Sequence, residues 1–172
     1  MSSLAIRDAR PADAPAIAAV TLAAYQEYSA QLPPSFWEAY RANIVSTLAD
    51  VKPAAQLVAE LAGRIVGAVL LYPAGAAFPS RDGAAATARW PEVRLLAVDP
   101  GARGHGVGDA LMQAGIQRAR ATGAGALTLH TTPMMAAAMR LYTRLGFVHV
   151  PELDFEPAPG LTVRGFRLTL EP

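Results

Sequence analysis

Apolar and polar positions follow two different periods along the chain, and the period separates strands from helices. Short apolar or alternating runs predict strands at 4–7, 56–61, 64–71, 93–98, 126–130, 147–150 and 163–170. Apolar positions spaced three and four apart predict helices from about 10 to 28, from 35 towards 48, from 107 to 121 and from 133 to 145. The chain therefore mixes both elements throughout, in the order strand, two helices, three strands, helix, strand, helix and two strands.

Residues with special backbone preferences mark where these elements begin and turn. Ser35 and Glu38 have the spacing of a capping box, so we expect Ser35 to cap the second helix. Thr132 is the expected cap of the last helix, because a proline follows it and proline suits the first helical position. Ala62-Gly63 predicts a tight hairpin. The small residues of 73–89 predict a mobile loop, which either borders the active site or is a plain surface connection.

The most informative stretch is the apolar run 93–98, which leads through a short loop into a helix. The run is nearly unbroken, so it predicts a strand buried on both faces. The loop Arg103-Gly104-His105-Gly106-Val107-Gly108 has three glycines in five positions, which removes Cβ atoms that would hold the backbone away from a ligand. The first turn of the following helix adds unpaired N–H groups and a partial positive charge, and Arg103 adds a full charge. Together they predict a site for an anion, above all for phosphate.

Three phosphate-loop patterns can be compared with this loop. A P-loop needs Gly-x-x-x-x-Gly-Lys-Ser/Thr, but Gly106 is followed by Val107 and Gly108, so the lysine and the hydroxyl are absent. A dinucleotide loop needs G-x-G-x-x-G, but Asp109 stands where the third glycine belongs. The third pattern, Arg-x-x-Gly-x-Gly, is met by Arg103, Gly106 and Gly108. With its strand, loop and helix in the right order, this stretch resembles the GNAT superfamily of acyl-CoA N-acyltransferases.

A second stretch, residues 138–147, is similar to the Leu-Tyr…Gly-Phe block of the same superfamily. The order of the elements also agrees, so the resemblance covers essentially the whole chain and implies a single N-acetyltransferase domain over 1–172. It implies an α/β (α+β) GNAT fold, with a mixed, mostly antiparallel sheet of about seven strands. The sheet is expected to be splayed at its central strand and to have four helices packed on both faces. The length of the chain suits one domain with its own core.

The resemblance implies acetyl-CoA, or another acyl-CoA, as the donor. In the superfamily, backbone N–H groups of the loop hold the diphosphate, and the pantetheine arm pairs with backbone groups of the central strand. The residues that this comparison places at the donor are Leu96, Ala97, Val98, Arg103, Gly104, His105, Gly106, Val107, Gly108 and Met135. Met135 departs from the pattern, because relatives often have an asparagine there that hydrogen-bonds the arm, whereas methionine can only pack.

Acyl transfer to an amine requires the acceptor to lose a proton, and it benefits when the departing thiolate gains one. Tyr142 matches the superfamily's proton donor, and a free tyrosine stays protonated at neutral pH because it titrates at about 10. Glu92 matches a glutamate that accepts the amine's proton in many relatives, directly or through water; the alternative is a solvated carboxylate at a strand end. His130 is the second candidate for the base, although a histidine at a strand end often caps a backbone group.

The acceptor is the part that the sequence leaves open. Aromatic and imidazole side chains that can contact an acceptor are Tyr28, Trp37 and His130. Acidic side chains that can attract a cationic amine are Glu27, Glu152, Asp154 and Glu156. The aromatic residues of the first two helices have a second interpretation, in which they only pack these helices. The expected reaction is acetylation of a primary amine of a small molecule. The alternatives are a peptide or protein amine, a non-catalytic acyl-CoA-binding module and a nucleotide-binding loop.

Composition and charge argue against several other classes of protein. The chain has no cysteine, and its three histidines lack the spacing of metal ligands, so we expect no disulfide, no thiol catalysis and no metal. The formal net charge of +1 provides no broad field for nucleic acid or for an anionic membrane. No signal peptide and no apolar run of membrane length is visible, so a cytoplasmic protein is expected. A homodimer is compatible with the sequence.

Overall fold

The computed structural model describes residues 3–50, 53, 55–79 and 85–171. Its α-helices are α1 (Ala14–Gln26), α2 (Pro34–Asp50), α3 (Val107–Ala121) and α4 (Ala136–Arg144). Its strands are β1 (Leu4–Asp8), β2 (Ala55–Leu61), β3 (Arg64–Tyr72), β4 (Ala77–Pro79), β5 (Ala85–Thr87), β6 (Glu92–Val98), β7 (Ala126–Thr131), β8 (Val148–His149), β9 (Phe155–Ala158) and β10 (Leu161–Thr169). Every strand and helix expected from the sequence is present. In this part of the chain, no helix combines the length and the apolar character needed to cross a bilayer.

Eight strands form one mixed sheet in the order β1-β2-β3-β6-β7-β10-β8, with β9 paired to β10. β1 pairs antiparallel with β2, and β10 pairs antiparallel with β7, β8 and β9. β6 and β7 run parallel, with Glu92 opposite Thr128 and Val93 opposite Leu129. The α+β fold with a mixed, mostly antiparallel sheet is therefore confirmed, with eight strands where about seven were expected. The additional strand is β9, which lies between the strands expected at 147–150 and 163–170.

The turn between β2 and β3 is the tight hairpin that the sequence predicts. Ala62 and Gly63 both have positive φ angles, 52° and 75°. Two successive positive φ angles are typical of a type I′ turn, whose twist matches that of the flanking strands. Glycine adopts this backbone at little cost, whereas Ala62 is held there by the hydrogen bonds between the two strands.

The start of α2 differs from the expected one. The helix begins at Pro34, and the Trp37 N–H donates to the Pro33 carbonyl at 3.0 Å. Ser35 therefore lies inside the first turn and is not the cap. The prediction failed because a proline at the first helical position has no N–H to satisfy and a φ angle already suited to the helix.

The start of α4 also differs from the expected one. The helix begins at Ala136 with Met135 as its N-terminal cap residue, so the expected cap at Thr132 is wrong. The Met135 N–H donates to the Thr132 carbonyl at 2.9 Å. This bond closes a separate turn ahead of the helix, which delays the helix by several residues.

The stretch 73–89 contains more structure than the mobile loop expected there. β4 and β5 pair antiparallel, with Ala77 opposite Thr87. The loop prediction is therefore wrong for these two strands. Residues 80–84, the middle of the expected loop, lie outside the described residues.

The chain divides into two compact units. The first comprises Met1–Leu70 and Leu95–Gly115, and the second comprises Leu71–Arg94 and Ile116–Pro172. β3, β6 and α3 each contribute residues to both units. The assignment of 1–172 to one domain remains a prediction.

The core of the first unit forms where α1 packs on β2 and β3. Ile17 and Val20 on α1 are 2% and 5% exposed, and they pack with Val58 on β2 and Ala68 on β3. Burying an aliphatic side chain of the size of valine or isoleucine contributes about 1.5–3 kcal/mol. This apolar contact is what holds the first helix on the sheet.

The core of the second unit is formed by β7, β10 and the residues that flank them. Leu127 and Leu129 on β7 and Phe166 on β10 are all buried. The Leu170 N–H donates to the Gly125 carbonyl at 2.9 Å, so backbone bonding continues beyond the ends of the two strands. These two strands are therefore a rigid base for the residues that follow them.

Replacing Gly67 on β3 with alanine should destabilise the first unit. An added Cβ would lie 2.9 Å from Leu111 Cδ1, 2.9 Å from Val107 Cγ1 and 3.0 Å from the Ala97 carbonyl oxygen. Overpacking of this kind costs about 1–3 kcal/mol. We expect thermal denaturation of Gly67→Ala to show a melting temperature lower by about 2–4 °C for each kcal/mol lost.

The matched control for this substitution is Gly101→Ala. There the nearest atom to an added Cβ is Asp99 Oδ1 at 3.3 Å, so the contact is much less severe than at Gly67. Its melting temperature should stay close to that of the wild type. Equal melting temperatures for the two variants would contradict the close approach of α3 to β3.

Candidate functional site

The glycine loop, Arg103 to Gly108, belongs to the first unit and ends at the start of α3. Gly104 and Gly106 have φ angles of 79° and 74°, a region that residues with a side chain rarely enter. The Gly106 carbonyl accepts the Ala110 N–H at 2.9 Å and so begins the hydrogen-bond ladder of the helix. Two of the three glycines are therefore required by the backbone conformation itself.

The backbone of the glycine loop is open to an approaching group. A Cβ at Gly104 or Gly106 would meet no atom within 4 Å. The N–H groups in the first turn of α3 have no intrahelical acceptors, and the helix dipole adds partial positive charge there. Val107 is 2% exposed and anchors this end of the helix in the interior of the first unit. The loop can therefore hold an anion such as a phosphate group with backbone donors.

Arg103 is engaged by the protein itself, which the sequence did not reveal. Its Nη1 donates to Glu27 Oε2 at 2.6 Å, and its Nη2 donates to the Ala24 carbonyl at 3.3 Å. The hydrogen bond from Arg103 holds the pKa of Glu27 below its usual range, against the smaller opposing effect of burial. Glu27 therefore pairs with a guanidinium in this structure, and its attraction for a cationic amine stays a prediction.

His105 is tied to the backbone of the same loop. Its Nδ1 lies 2.9 Å from the Arg103 carbonyl oxygen and 3.3 Å from the Ala102 carbonyl oxygen. Both partners are acceptors, so Nδ1 carries the proton and donates it. The ring therefore closes the loop, and Nε2 can donate to a phosphate only when it carries a proton as well.

The sequence predicts that β6 is buried on both faces, but the second half of the strand is not. Leu95, Leu96 and Val98 are partly exposed, whereas Ala97 is buried. Leu95 has a φ angle of 49°, a left-handed backbone that costs a non-glycine residue about 1–3 kcal/mol. The Leu96 carbonyl accepts the Tyr25 hydroxyl at 3.3 Å, so this backbone group already has a partner in the first unit.

The aromatic residues of α1, of the turn Glu27–Gln31 after it and of α2 pack on one another, as the second interpretation of the sequence held. Tyr28 meets the ring of Tyr25 at 6.1 Å, and Trp37 meets the ring of Tyr40 at 6.2 Å, both edge to face. Burial raises the pKa of Tyr28 to about 12 and that of Tyr40 to about 12. Tyr28 and Trp37 remain partly exposed, so contact with an acceptor stays a prediction.

Glu92, at the start of β6 in the second unit, is a buried carboxylate that is 4% exposed. The alternative of a solvated strand-end acid is therefore wrong. Its Oε1 accepts the Arg94 Nε–H at 2.7 Å and lies 3.5 Å from His130 Nδ1. Burial works to raise the pKa of Glu92, but the hydrogen bond with His130 and the charge of Arg94 outweigh it and leave the pKa below its usual range. The carboxylate is therefore ionised at neutral pH.

The structure brings the two candidate bases together. Besides its contact with Glu92, the His130 ring has its Nε2 at 3.1 Å from the Leu153 carbonyl oxygen. It also packs edge to face on Phe155 at 5.6 Å. Each ring nitrogen faces an acceptor, and a singly protonated ring can donate to only one of them. His130 therefore lies between the backbone carbonyl that the second interpretation of this residue expected it to cap and the carboxylate of Glu92.

Three residues at this place were missed by the sequence analysis: Tyr72, Arg94 and Phe155. The Arg94 guanidinium lies 5.3 Å from the centre of the Tyr72 ring, a cation–π contact. A signal for Arg94 did exist, because residues two apart on a strand share a face and Arg94 is two residues after Glu92. Tyr72 and Phe155 lie far away in sequence, so no local pattern pointed to them.

The residues around α4 also belong to the second unit. Tyr142 is 6% exposed, and its ring packs edge to face on Phe147 at 6.0 Å. Met135 is buried, and its sulfur accepts the Thr131 hydroxyl at 3.5 Å. The hydroxyl of Thr132 is buried without a hydrogen-bond partner among the described residues, which makes it a candidate to bind a ligand group. Sequence reasoning missed this role because it took Thr132 for a helix cap.

The acidic loop between β8 and β10 has one acid that is already occupied. Asp154 Oδ1 accepts the Gly165 N–H at 2.9 Å and lies 2.9 Å from His149 Nε2. The expected attraction of a cationic amine is therefore left to Glu152 and Glu156, which are exposed. Within the described ranges, no group of three or more His, Cys, Asp or Glu residues is arranged to hold a metal ion.

Replacing Glu92 with glutamine should change how stability depends on pH. A carboxylate whose folded pKa is depressed stabilises the protein above its unfolded pKa, about 4.3, and this contribution disappears as the pH falls through the folded value. We expect wild type to exceed Glu92→Gln in free energy of unfolding by on the order of 2 kcal/mol at neutral pH. Urea denaturation from pH 7 to pH 3 should show this difference shrinking.

The exposed acid Glu152 provides the matched control in the same unit. Urea denaturation of Glu152→Gln should give nearly the wild-type free energy of unfolding at every pH. A difference between wild type and Glu92→Gln that stays constant down to pH 3 would contradict an ionised, paired Glu92.

Comparisons with known proteins bear on the family to which this chain belongs. The sequence pattern of the Acetyltransferase (GNAT) family matches residues 19–147, about three quarters of the chain. A solved GNAT family acetyltransferase from Brucella melitensis, in complex with acetyl-CoA, is 26% identical to this chain. The superposition covers 99% of this chain and 90% of that one, with a TM-score of 0.59.

Two curated relatives match over shorter stretches. A mycothiol acetyltransferase of Nocardia farcinica is 41% identical over 56 residues, which are 33% of this chain and 18% of that protein. An N-acetylaspartate synthetase of Xenopus tropicalis is 35% identical over 71 residues, which are 41% of this chain and 26% of that protein. The chain thus spans less than a third of either relative. The family match over most of the chain is decisive, and the chain belongs to the GNAT acetyltransferase family.

Proposed function

We propose that the protein transfers an acetyl group from acetyl-CoA to a primary amine of a small molecule. The observation that carries this proposal is the glycine loop, whose open backbone leads into the first turn of α3. Membership of the family supports the donor, and the Brucella melitensis neighbour is solved in complex with acetyl-CoA. The names of the curated relatives, a mycothiol acetyltransferase and an N-acetylaspartate synthetase, support a small acceptor.

The donor diphosphate is bound by N–H groups of the glycine loop and of the first turn of α3. Arg103 joins this contact by turning its guanidinium away from Glu27. Both side chains of that ion pair are 42% exposed, so opening it costs little, about 0–1 kcal/mol. The pantetheine arm pairs with backbone groups of Leu96 and Val98, and it displaces the Tyr25 hydroxyl from the Leu96 carbonyl.

Glu92 accepts the proton of the amine, directly or through water. Its depressed pKa makes it a weak base, but it also keeps the carboxylate ionised and attractive to an ammonium group. Both contacts described for this carboxylate fall on Oε1, which leaves Oε2 for the amine or for a water molecule. His130 is the weaker candidate, because both of its ring nitrogens already face acceptors.

Tyr142 donates a proton to the departing thiolate. A free thiol titrates at about 8.5 and a free tyrosine at about 10, so the tyrosine enters the reaction protonated at neutral pH. Packing of its ring on Phe147 restricts the side chain and so supports a fixed direction for its hydroxyl.

Two competing functions use the same donor. One is acetylation of a peptide or protein amine, and the other is acyl-CoA binding without turnover. The buried Glu92 favours an enzyme, because taking a carboxylate out of water is costly and a binding module has no use for it. A module without turnover would bind acetyl-CoA and release no thiol with any amine.

Replacing Gly106 with alanine should weaken donor binding. The substitution forces a side chain into the left-handed backbone region at a cost of about 1–2 kcal/mol, and the loop relieves this strain by shifting its N–H groups. Calorimetric titration with acetyl-CoA should show the dissociation constant of Gly106→Ala raised by about tenfold or more.

The control for this titration is Gly123→Ala, at the other end of α3. Gly123 has the same φ angle of 74° and, like Gly106, no atom within 4 Å of an added Cβ, so it reproduces the strain. Gly123→Ala should bind acetyl-CoA like the wild type. Equal losses of affinity in both variants would remove the glycine loop from the donor site.

Replacing Tyr142 with phenylalanine should slow turnover while leaving donor binding intact. Loss of a positioned acid lowers kcat by about 10- to 1,000-fold. The acid gives its proton to the departing thiolate only as the transition state forms, so donor binding does not depend on it. The measurement is thiol release from acetyl-CoA with a panel of amines, beside calorimetry for the donor. Tyr40→Phe, which removes a tyrosine hydroxyl of the first unit, should leave kcat unchanged. Parallel losses of binding and turnover in Tyr142→Phe would assign this residue a structural role.

A further inference from the structure

Glu92 is surrounded by charged and aromatic side chains that a proton acceptor alone does not need. Two positively polarised groups, Arg94 and His130, contact the carboxylate at 2.7 and 3.5 Å. Two aromatic rings stand behind them, since Arg94 lies over Tyr72 and His130 packs on Phe155. These five residues all belong to the second unit, and we refer to them as the acceptor cluster.

Exposure within the acceptor cluster changes from its centre to its rim. The side chain of Glu92 is 5% exposed, whereas those of Arg94 and His130 are 33% and 25% exposed. Phe155 is 48% exposed, which is unusual for so large an apolar residue. An incoming molecule therefore meets a guanidinium, an imidazole and an apolar ring, with the carboxylate beneath them.

The charges of the acceptor cluster disfavour an acceptor that is only a cation. Glu92 and Arg94 cancel, and His130 adds either no charge or a positive one. An amine that reaches Glu92 Oε2 comes within a few ångströms of the Arg94 guanidinium, where like charges repel. The nearby acid Asp154 does not offset this repulsion, because its carboxylate is bound by His149 and by the Gly165 N–H. Glu152 and Glu156 of the same loop are exposed, so water and salt screen their attraction for an amine at Glu92.

An anionic group next to the amine removes this conflict. A carboxylate one carbon away from the amine can pair with Arg94 while the amine faces Glu92, so each charge of the acceptor meets its opposite. Guanidinium groups suit this task, because they bind carboxylates through charge-assisted hydrogen bonds. The rings of Tyr72 and Phe155 then offer apolar surface to the rest of the molecule.

We propose that the acceptor is an α-amino acid with an apolar side chain, and that Arg94 is the residue that selects it by binding its carboxylate. This inference rests on the proposed function, since it names the substrate class of the same reaction. Arg94 acts as a specificity-determining residue, and Glu92 keeps its role toward the amine.

The wild-type protein tests this proposal with three matched amines and acetyl-CoA, read as thiol release. The amines are L-phenylalanine, L-phenylalaninamide and phenethylamine, which share the ring and differ in the group beside the amine. A hydrogen bond to a charged group implies that kcat/KM for L-phenylalanine exceeds that for either other amine by about 10- to 100-fold. Equal or faster turnover of L-phenylalaninamide would favour a peptide amine and overturn the proposal, as would equal or faster turnover of phenethylamine.

The variants Arg94→Gln and Arg94→Lys identify the residue responsible. Arg94→Gln should lower the ratio of kcat/KM for L-phenylalanine over phenethylamine by about 10- to 100-fold, and Arg94→Lys should restore part of that ratio. Any effect of the variants on Glu92 is common to both amines and cancels in the ratio. An unchanged ratio in Arg94→Gln would overturn the role of Arg94, and the wild-type comparison does not depend on any variant folding.

Failure of this inference and failure of the proposed function give different results. Turnover of phenethylamine without any preference for L-phenylalanine would overturn the inference and leave the acetyltransferase in place. Absence of thiol release with every amine in the panel would overturn the proposed function, and the inference with it.

Discussion

The backbone of β6 is the constraint on which the candidate residues of each unit depend. Leu95 holds a left-handed conformation in the middle of this strand, at a cost of about 1–3 kcal/mol. The residues before it supply Glu92 and Arg94 to the second unit, and those after it lead to the glycine loop of the first. A regular strand would have buried its second half as the apolar sequence predicts. The left-handed conformation of Leu95 marks the start of the second half of β6, which is partly exposed and therefore able to contact a ligand.

The two ion pairs of the site differ in what they can do. Glu92 is buried, so its ionised form persists only because Arg94 and His130 compensate the lost hydration. Removing one partner would leave a buried charge without compensation. The pair of Glu27 and Arg103 is exposed, and water can replace either partner at little cost. The buried pair is therefore a permanent part of the site, whereas the exposed pair can open when an anion approaches the loop.

Membership of the family accounts for the donor side better than for the acceptor side. Backbone N–H groups at the end of a helix recognise phosphate whatever the neighbouring side chains are, so a fold with this loop can retain its donor while the acceptor changes. In the proposal made here, selection of the acceptor rests on the side chains of Arg94, His130 and Phe155, which come from three different strands.

Local interactions explain what the amino-acid sequence determined by itself. The order of strands and helices, the hairpin at Ala62-Gly63 and the glycine loop follow from apolar periodicity and from positive φ angles. The starts of α2 and α4 were misplaced, because a proline and a separate turn competed with the expected caps. β9 was missed because its residues become a strand only by pairing with β10.

Only the tertiary structure decided the chemistry around the candidate base. Glu92 and His130 are 38 residues apart in the chain, and the packing of β6 beside β7 brings them to within 3.5 Å. The same holds for the pairing of Arg103 with Glu27, which the sequence did not reveal. A sequence pattern specifies which groups are present and how the local backbone bends. The charge and pKa of a group depend on burial and on distant neighbours, and these exist only once the chain has folded.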